Sequence, residues 1–431
     1  MKQVMLKKMH DPVIDETIYF DVLENGLPVY IMPKVGFKQK YAAFATNYGS
    51  IDNRFRVAGE KNIVTVPNGI AHFLEHKMFE DEDVNVFDKF AYYGANVNAY
   101  TTYTTTSYFF DTCDNFAECL ELLLDFVQYL YLTDETVEKE KGIIAQEILM
   151  YEDDPDWMAY LNLLKALFHV HPVREDIAGT IESISQINRE LILKCYNIFY
   201  HPSNMILFVV GDLDPEWVFE LVYENQIKKD YTIQPFIERF YPNEPKTIFK
   251  KRVESSMPVS RPIYKLGFKE QKTGEDGNLL LKKELATNML LEILVGKGSE
   301  LYQKLYASGL IDDSFSISYS GERDHGMTVL GGQTSDPERL HAALIEGIQA
   351  KMGQIKEEEL ERVRKRLIGD YITIFDSLSS IVQNFIAYHF RNMNLFHELK
   401  ILNEITLDYL EERFEEHFNL ANHAVSIIYP L

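Results

Sequence analysis

Two histidines and a glutamate in the segment HFLEH have the residue types and the spacing of a zinc-binding pair with a neighbouring base. His72 and His76 are four residues apart, so on a helix both imidazoles would project from one face and share an ion. Glu75 lies between them and would project close to the same place. Imidazoles bind zinc while leaving coordination positions open, and a carboxylate beside the ion can take the proton of an activated water. The H-x-x-E-H order therefore predicts metal-assisted hydrolysis.

A catalytic zinc site needs a third protein ligand, and the best candidate is Glu147 in a later predicted helix. Glu140 precedes it by seven residues and would face roughly the same way, so it is predicted to orient a ligand or the water. Taken alone, two histidines at helical spacing or two glutamates on a solvated helix face are commonplace. The two pairs together, in this order and with a strand-like segment between them, favour the metal site.

The elements that must position these residues are predicted by periodicity and composition. Residues Ile70–Phe79 predict a helix, because apolar residues recur at three- and four-residue spacing after the Asn68-Gly69 break. The Thr, Tyr and Phe run Asn98–Asp111 is strongly strand-forming. Two further helices are predicted over Phe116–Leu130 and Asp134–Tyr151. Strands are predicted over Leu27–Met32, Tyr41–Thr46 and Met205–Val210.

The order of predicted elements recurs after a proline-rich segment, residues 234–262, which predicts a linker. The elements predicted beyond it are strands Ile263–Phe268, Ser314–Tyr319, Met327–Gly331 and Ala424–Tyr429, and helices Lys282–Val295, Pro337–Met352 and Glu357–Phe375. The sequence thus predicts a tandem duplication of one α+β unit. Residues 1–233 would form a zinc-bearing domain, and residues 263–431 a homologous domain without the zinc motif.

The composition limits the classes of partner. The chain has 431 residues with 66 acidic and 43 basic side chains, a formal net charge of −23. Such a surface repels phosphate, so no nucleic acid is expected; it could attract basic peptides, although charge that keeps a cytoplasmic protein in solution is the simpler explanation. The apolar stretches are too short to span a membrane, which needs about 20 residues. A cytoplasmic protein without a membrane span is expected.

Beyond the metal motif, several segments resemble the pitrilysin/insulinase family of inverted-motif zinc peptidases, which includes the mitochondrial processing peptidase. The resemblance is closer in the first half of the chain, and within the family it points to the bacterial YmfH-like branch. The segments that carry it are Leu23–Pro28 (LENGLP), HFLEH, Gly94–Thr101 (GANVNAYT), Glu140 with Glu147, Ala178-Gly179-Thr180 and His201–Gly211 (HPSNMILFVVG).

The resemblance implies two similar domains that enclose a chamber, each a mainly antiparallel β-sheet covered by helices. It implies that His72, His76 and Glu147 bind Zn2+ and that Glu75 is the general base. It further implies that the strand at Asn98 presents its edge to an extended peptide. Asn98 and Ala99 would contact that peptide near the scissile bond, and Phe79 would line a pocket for it.

The second half departs from the family pattern at an Arg/Tyr pair that usually polarises the scissile carbonyl. Tyr306 stands where the Arg is expected, and Asp312 or Asp313 stands where the Tyr is expected. We therefore predict a zinc endopeptidase subunit for short or unfolded peptides that needs a related partner supplying the pair, as a heterodimer, or that forms a homodimer. The alternatives are a non-catalytic assembly subunit and a peptide-binding subunit that holds zinc without turnover.

Overall fold

The computed structural model describes residues 5–82 and 85–431, and its contacts divide the chain into two compact units. Unit 1 contains Met1–Ile148, Asp176–Tyr241 and Phe375–Ala387. Unit 2 contains Leu149–Glu175, Pro242–Ile374 and Tyr388–Leu431. Each unit therefore draws on separated stretches of sequence, whereas the domain bounds predicted from the sequence are contiguous and stay a prediction.

The described residues form strands and helices that occur in runs of each kind along the chain. The strands are β1 Lys7–Asp11, β2 Glu16–Val22, β3 Pro28–Pro33, β4 Lys40–Thr46, β5 Arg54–Val57, β6 Val64–Thr65, β7 Asn96–Thr101, β8 Thr106–Thr112, β9 Met205–Gly211, β10 Ile237–Arg239, β11 Arg252–Met257, β12 Ile263–Lys269, β13 Ser316–Gly321, β14 Gly326–Gln333 and β15 His423–Pro430.

The helices are α1 Ile70–Met78, α2 Val86–Tyr92, α3 Phe116–Val127, α4 Asp134–Glu152, α5 Pro155–Leu167, α6 Ile181–Ser185, α7 Arg189–Phe199, α8 Pro215–Gln226, α9 Gly277–Val295, α10 Glu300–Ala307, α11 Pro337–Lys351, α12 Glu357–Ile374, α13 Leu378–Phe390, α14 Glu398–Glu404 and α15 Leu407–His417. None of the helices in the described part of the chain is long and apolar enough to cross a membrane.

The sheets of the two units repeat one strand order. In unit 1 the seven-stranded sheet runs β1-β2-β3-β9-β4-β8-β7, and in unit 2 the five-stranded sheet runs β11-β15-β12-β14-β13. The pairs β3–β9 and β11–β15 are parallel, and the neighbours that follow are antiparallel in both sheets. The predicted fold class, two tandem homologous α+β units with mainly antiparallel sheets, is confirmed by this repeated order.

Two element predictions were wrong in detail. The run Asn98–Asp111 is an antiparallel hairpin of β7 and β8, in which Asn98 pairs with Phe109, rather than one strand. The cause is the turn at 102–105, whose threonines satisfy their own backbone groups, a geometry that strand propensity does not reveal. The predicted linker 234–262 contains β10 and β11, which pair with β5 and β15.

The core of unit 1 lies against the middle of its sheet. Strand β9, MILFVVG, is buried along its whole length, as expected for a continuous apolar strand between two neighbours. Helices α1 and α3 bury Phe73, Leu74, Leu120 and Leu124 in the same cluster. This packing fixes α1, the helix that carries HFLEH, beside strand β7.

Candidate metal centre

The start of helix α1 is set by two glycines, each of which packs against the residue that precedes the other in sequence. Gly69 caps the helix with a φ of +91°, where an added Cβ would lie 2.4 Å from the carbonyl oxygen of Ala178. Gly179 has a φ of +79°, and its Cβ would lie 2.6 Å from the carbonyl oxygen of Asn68. Only glycine combines that backbone conformation with so close an approach. The Ala178-Gly179-Thr180 segment thus anchors the helix that presents His72, Glu75 and His76.

Helix α4 supplies the two later glutamates. It buries Val137, Glu140, Ile144 and Ile148, residues at the three- and four-residue spacing of one helix face. Glu140 is consequently held inside the unit, and Glu147 is two turns further along with a side chain 22% exposed. Both carboxylates lie beside the histidines, Glu140 next to His76 and Glu147 next to His72 and His76.

Three side chains converge as a metal would require. Glu147 places one carboxylate oxygen 3.6 Å from Nε2 of His72 and the other 3.4 Å from Nε2 of His76. On the opposite side of its ring, His76 donates from Nδ1 to Oε1 of Glu140 at 2.9 Å. A proton fixed on Nδ1 leaves the Nε2 lone pair directed at the same point as Glu147. Two imidazole nitrogens and one carboxylate are the donor set of open zinc sites.

The electrostatics of this cluster suit a cation. Burial, with the neighbouring His76, lowers the pKa of His72 to about 4, so His72 is neutral near pH 7 and has a lone pair to donate. Burial opposes charge on His76 too, but its hydrogen bonds to Glu140 and Glu147 raise its pKa to about 10. The two carboxylates therefore stabilise positive charge at this point strongly, and the residues present fit a divalent ion.

Glu75 stands beside the cluster with one oxygen already engaged. Thr101, on strand β7, donates its hydroxyl to Oε2 of Glu75 at 2.6 Å. Burial raises the pKa of Glu75, which makes its carboxylate a better proton acceptor, while the Thr101 hydrogen bond acts in the opposite sense. No role for Thr101 was predicted from the sequence. The signal available in the sequence was its spacing from Ala99, because side chains two residues apart on a strand project from the same face.

A second histidine cluster lies in unit 2 and has different chemistry. His171 and His325 approach opposite oxygens of Asp324, each at 3.0 Å. Nδ1 of His171 accepts the backbone N–H of Val173 at 3.1 Å, so a neutral ring carries its proton on Nε2 and donates it to Asp324. That nitrogen then has no lone pair for a metal. The cluster is a hydrogen-bonded triad, unlike the group around Glu147.

A cavity of about 680 Å³ opens beside Glu75 and His76. Phe79 and Asn98, two of the predicted substrate-binding residues, line it. The third, Ala99, is partly buried, and its side chain packs against the core of unit 1 rather than lining the cavity. Strand β7, which carries Asn98 and Ala99, is the last strand of its sheet among the described residues.

The positions expected to hold the Arg/Tyr pair are in unit 2. Tyr306 stacks on Tyr302 within α10, with ring centroids 6.0 Å apart. Asp312 accepts hydrogen bonds from Ser314 and from the guanidinium of Arg261, at 3.3 Å in the latter case. The sequence between Gly298 and Arg323 contains no arginine.

Comparison with known proteins identifies the family. The insulinase model (peptidase family M16) matches residues 65–181, and the model of the peptidase M16 inactive domain matches residues 186–367. An uncharacterized zinc protease, YmfH of Bacillus subtilis (strain 168), is 44% identical over 427 residues, which cover 99% of this chain and 100% of that protein. The chain belongs to the M16 family. The family resemblance stated from the sequence is therefore confirmed, and Zn2+ is the cofactor of the M16 zinc proteases to which the chain is related.

Two solved structures extend the M16 assignment. The crystal structure of an M16-like peptidase from Alicyclobacillus acidocaldarius is 41% identical, covers all of both chains and superposes with a TM-score of 0.93. A chain of complex III2 from Candida albicans is 14% identical, with a TM-score of 0.71 over 95% of each chain. The second likeness shows the M16 fold alone.

Proposed function

We propose that this M16 chain is a zinc-dependent endopeptidase subunit that hydrolyses short or unfolded peptides in the cytoplasm. The observation that carries the proposal is the convergence of His72, His76 and Glu147 on one point, with Glu75 beside it. His72, His76 and Glu147 would bind the ion, which when bound supplies Lewis acidity to the attacking water and the scissile carbonyl.

The chain's own residues would carry the proton. Because Thr101 occupies Oε2, Glu75 takes the proton of the attacking water on Oε1. The same carboxylic acid then donates that proton to the nitrogen of the leaving amine. Glu140 holds the Nδ1 proton of His76 throughout, which keeps the ring in the tautomer that binds the ion.

The substrate would be held as an extra strand. Strand β7 lies at the edge of its sheet, where an extended peptide can pair with its backbone. Such pairing would place the scissile bond next to Asn98 and Ala99. Phe79 lines the cavity beside Glu75 and would receive a neighbouring side chain. Extended peptides and unfolded chains have the free backbone groups that such pairing needs, which supports them as the substrate class.

The proposal includes a partner subunit. Tyr306 and Asp312 or Asp313 stand at the positions where active single chains of the family have the carbonyl-polarising Arg and Tyr. The loss of one such donor typically lowers the rate by about 10²–10³. A related subunit that has lost the zinc motif but kept the pair would supply it in a heterodimer.

The test is the Glu75→Gln variant of the full chain, compared with wild type in the presence and absence of the co-purified partner. We expect one zinc per chain in both proteins, and hydrolysis of unstructured peptides by the wild type with its partner but not by Glu75→Gln. Glu138→Gln, an exposed change on α4, is the matched control and should leave hydrolysis unchanged. Equal hydrolysis by wild type and Glu75→Gln would overturn the assignment of Glu75.

A second candidate is a non-catalytic assembly or peptide-binding subunit. The match to the M16 inactive domain over residues 186–367 and the fold shared with a complex III2 chain favour it. The same experiment separates the two candidates. A wild-type chain that binds zinc but hydrolyses no peptide with any partner would establish the second.

A further inference from the structure

We propose that Tyr200 is a positioning residue for Glu75, the general base of the proposed reaction. It acts through a buried chain of hydroxyl groups that keeps the proton of Thr101 on the Glu75 carboxylate. The other members of the chain are Tyr108 and Thr106. This inference rests on the proposed function and adds to it the side chains that hold the base in place, all of which belong to unit 1.

The hydroxyl chain joins four side chains by short contacts. The hydroxyl oxygens of Tyr108 and Tyr200 are 2.7 Å apart, and Tyr200 is also hydrogen-bonded to Thr106. Thr106 lies opposite Thr101 in the hairpin of β7 and β8, and their Oγ1 atoms are 3.2 Å apart. Thr101 donates to Oε2 of Glu75 at 2.6 Å. The chain therefore runs without a gap from Tyr108 to the carboxylate.

The far end of the chain is shielded from solvent. Tyr108 and Thr106 are fully buried, and Tyr200 is 2% exposed. The ring of Tyr200 stacks on Tyr196 with centroids 5.2 Å apart, which holds its hydroxyl in place. Burial raises the pKa of Tyr108 and of Tyr200, so both phenols keep their protons. A buried hydroxyl without a partner costs free energy, so these groups must satisfy one another.

The number of protons fixes the direction of each hydrogen bond. A carboxylate only accepts, so Thr101 gives its one proton to Glu75. Thr106 gives its one proton to the backbone carbonyl oxygen of Tyr48 at 2.9 Å. The hydrogen bond between Thr106 and Tyr200 must therefore be donated by Tyr200. Tyr200 has then spent its own proton, so its oxygen accepts from the neighbouring tyrosine.

This fixed direction determines where the Thr101 proton can go. The oxygen of Thr106 is the alternative acceptor for that proton, and the donation from Tyr200 already occupies it. Glu75 is consequently the better acceptor, and its Oε2 stays engaged while Oε1 takes the proton of the attacking water. Without the Tyr200 hydroxyl, the Thr101 proton could turn to Thr106, and the carboxylate would lose the contact that sets its orientation.

Kinetics of variants of the full, zinc-loaded chain, assayed with its partner subunit on an unstructured peptide, test the chain. We expect Thr101→Val to lower kcat by about 10–100-fold with KM unchanged, because valine keeps the shape of the side chain and removes the hydroxyl. Thr101→Ser keeps the hydroxyl and should restore most of kcat. Tyr200→Phe should lower kcat by about five-fold, the effect of one hydrogen bond.

A double variant shows whether Tyr200 acts through Thr101. Adding Tyr200→Phe to Thr101→Val should lower kcat no further, because the chain is already cut. Tyr264→Phe is the control, since Tyr264 is also buried, lies in unit 2 and bonds its hydroxyl to His341 at 2.8 Å. It should leave kcat unchanged. Zinc content and thermal unfolding verify that each variant is folded, and Tyr108→Phe replaces Tyr200→Phe if the latter is not.

Crystal structures supply a readout that needs no turnover. We expect two orientations of the Glu75 carboxylate in Thr101→Val, and one in the wild type and in Thr101→Ser. A single, unchanged orientation in Thr101→Val would overturn the inference. So would losses of kcat that multiply in the double variant, because Tyr200 would then act through packing alone. If the wild type hydrolyses nothing with any partner but Thr101→Val shows the two orientations, the proposed function fails and the positioning of Glu75 stands.

Discussion

The hydrogen bond between His76 and Glu140 would orient one ligand of the proposed metal site. Glu140 is 5% exposed and takes the Nδ1 proton of His76 at 2.9 Å, so its negative charge strengthens the Nε2 donor. We expect Glu140→Gln to lower zinc affinity by about 10–100-fold, because the hydrogen bond survives but the charge is lost. Competition with a chromogenic chelator measures this. Glu138→Gln on the same helix should bind zinc like wild type, and an unchanged affinity in Glu140→Gln would contradict the prediction.

The residues of the site could be predicted from the sequence to the extent that helical spacing fixes their neighbours. His72, Glu75 and His76 are on one helix, and Glu140 and Glu147 are on another, so the 3.6-residue period already grouped them. The position of Thr101 beside Glu75 could not be predicted, because it comes from packing between a strand and a helix. Thr101 is 26 residues from Glu75, and nothing local specifies that contact.

Among the elements, helix α1 depends on the glycines at its start. Gly69→Ala would put a Cβ into the carbonyl of Ala178 in a backbone conformation that disfavours alanine. We expect it to destabilise the chain by about 1–3 kcal/mol and to weaken zinc binding, because α1 must shift. Thermal unfolding with and without added zinc measures both effects.

Gly142→Ala is the matched control for that change. Gly142 lies within α4, where an added Cβ would meet nothing within 4 Å. Alanine is favoured over glycine in a helix by about 1 kcal/mol, so this variant should be neutral or more stable. If both variants unfold at the same temperature, the close backbone approach at Gly69 and Gly179 does not contribute to the stability of the chain.

In unit 2, Glu244 ties the segment after α5 to strand β12. It accepts the backbone N–H groups of His169, Val170 and His171, each at 2.8 Å, and pairs with Lys269. Burial opposes this charge, but the three N–H groups and the ammonium lower the pKa of Glu244 to about 2. The stabilisation is therefore present above the ordinary pKa near 4.5 and is lost as the pH falls toward 2.

We accordingly expect Glu244→Gln to lower the free energy of unfolding by about 2 kcal/mol at pH 7 and by less near pH 3. Urea unfolding at the two pH values measures the difference. Glu346→Gln, an exposed change on α11, should have little effect at either pH. If Glu244→Gln lowers the free energy of unfolding as much at pH 3 as at pH 7, ionisation of Glu244 is not the source of the stabilisation.

At the scale of elements, the strands and helices with strong periodicity were predicted within a few residues, for example α4 and β9. The errors fell where tertiary pairing overrides local composition. Residues 234–262 read as a linker because of their prolines, yet β10 and β11 form there by pairing with strands far away in sequence. Whether a segment forms a strand at the edge of a sheet depends on the strand with which it pairs, and the local sequence does not reveal that strand.

For the whole molecule, the absence of an Arg and a Tyr at the positions expected for the carbonyl-polarising pair leads to a prediction about assembly. We expect the isolated chain to hydrolyse peptides slowly and to gain about 10²–10³ in rate when mixed with a related subunit that carries the pair. Kinetics across a titration of that subunit, with the Glu75→Gln chain as control, measures the gain and its stoichiometry. Full activity of the isolated chain would remove the need for a partner.

The position of β7 at the edge of its sheet has a consequence for how substrates would be chosen. A peptide that pairs there is recognised through backbone groups, which every sequence carries. In a folded protein those groups are already bonded, so a segment must first detach from its own structure. When that opening is rapid and rare, its free energy enters the cleavage rate directly. On the proposed function, the enzyme would rank proteins by the local stability of their segments, and the looser fold would be degraded first.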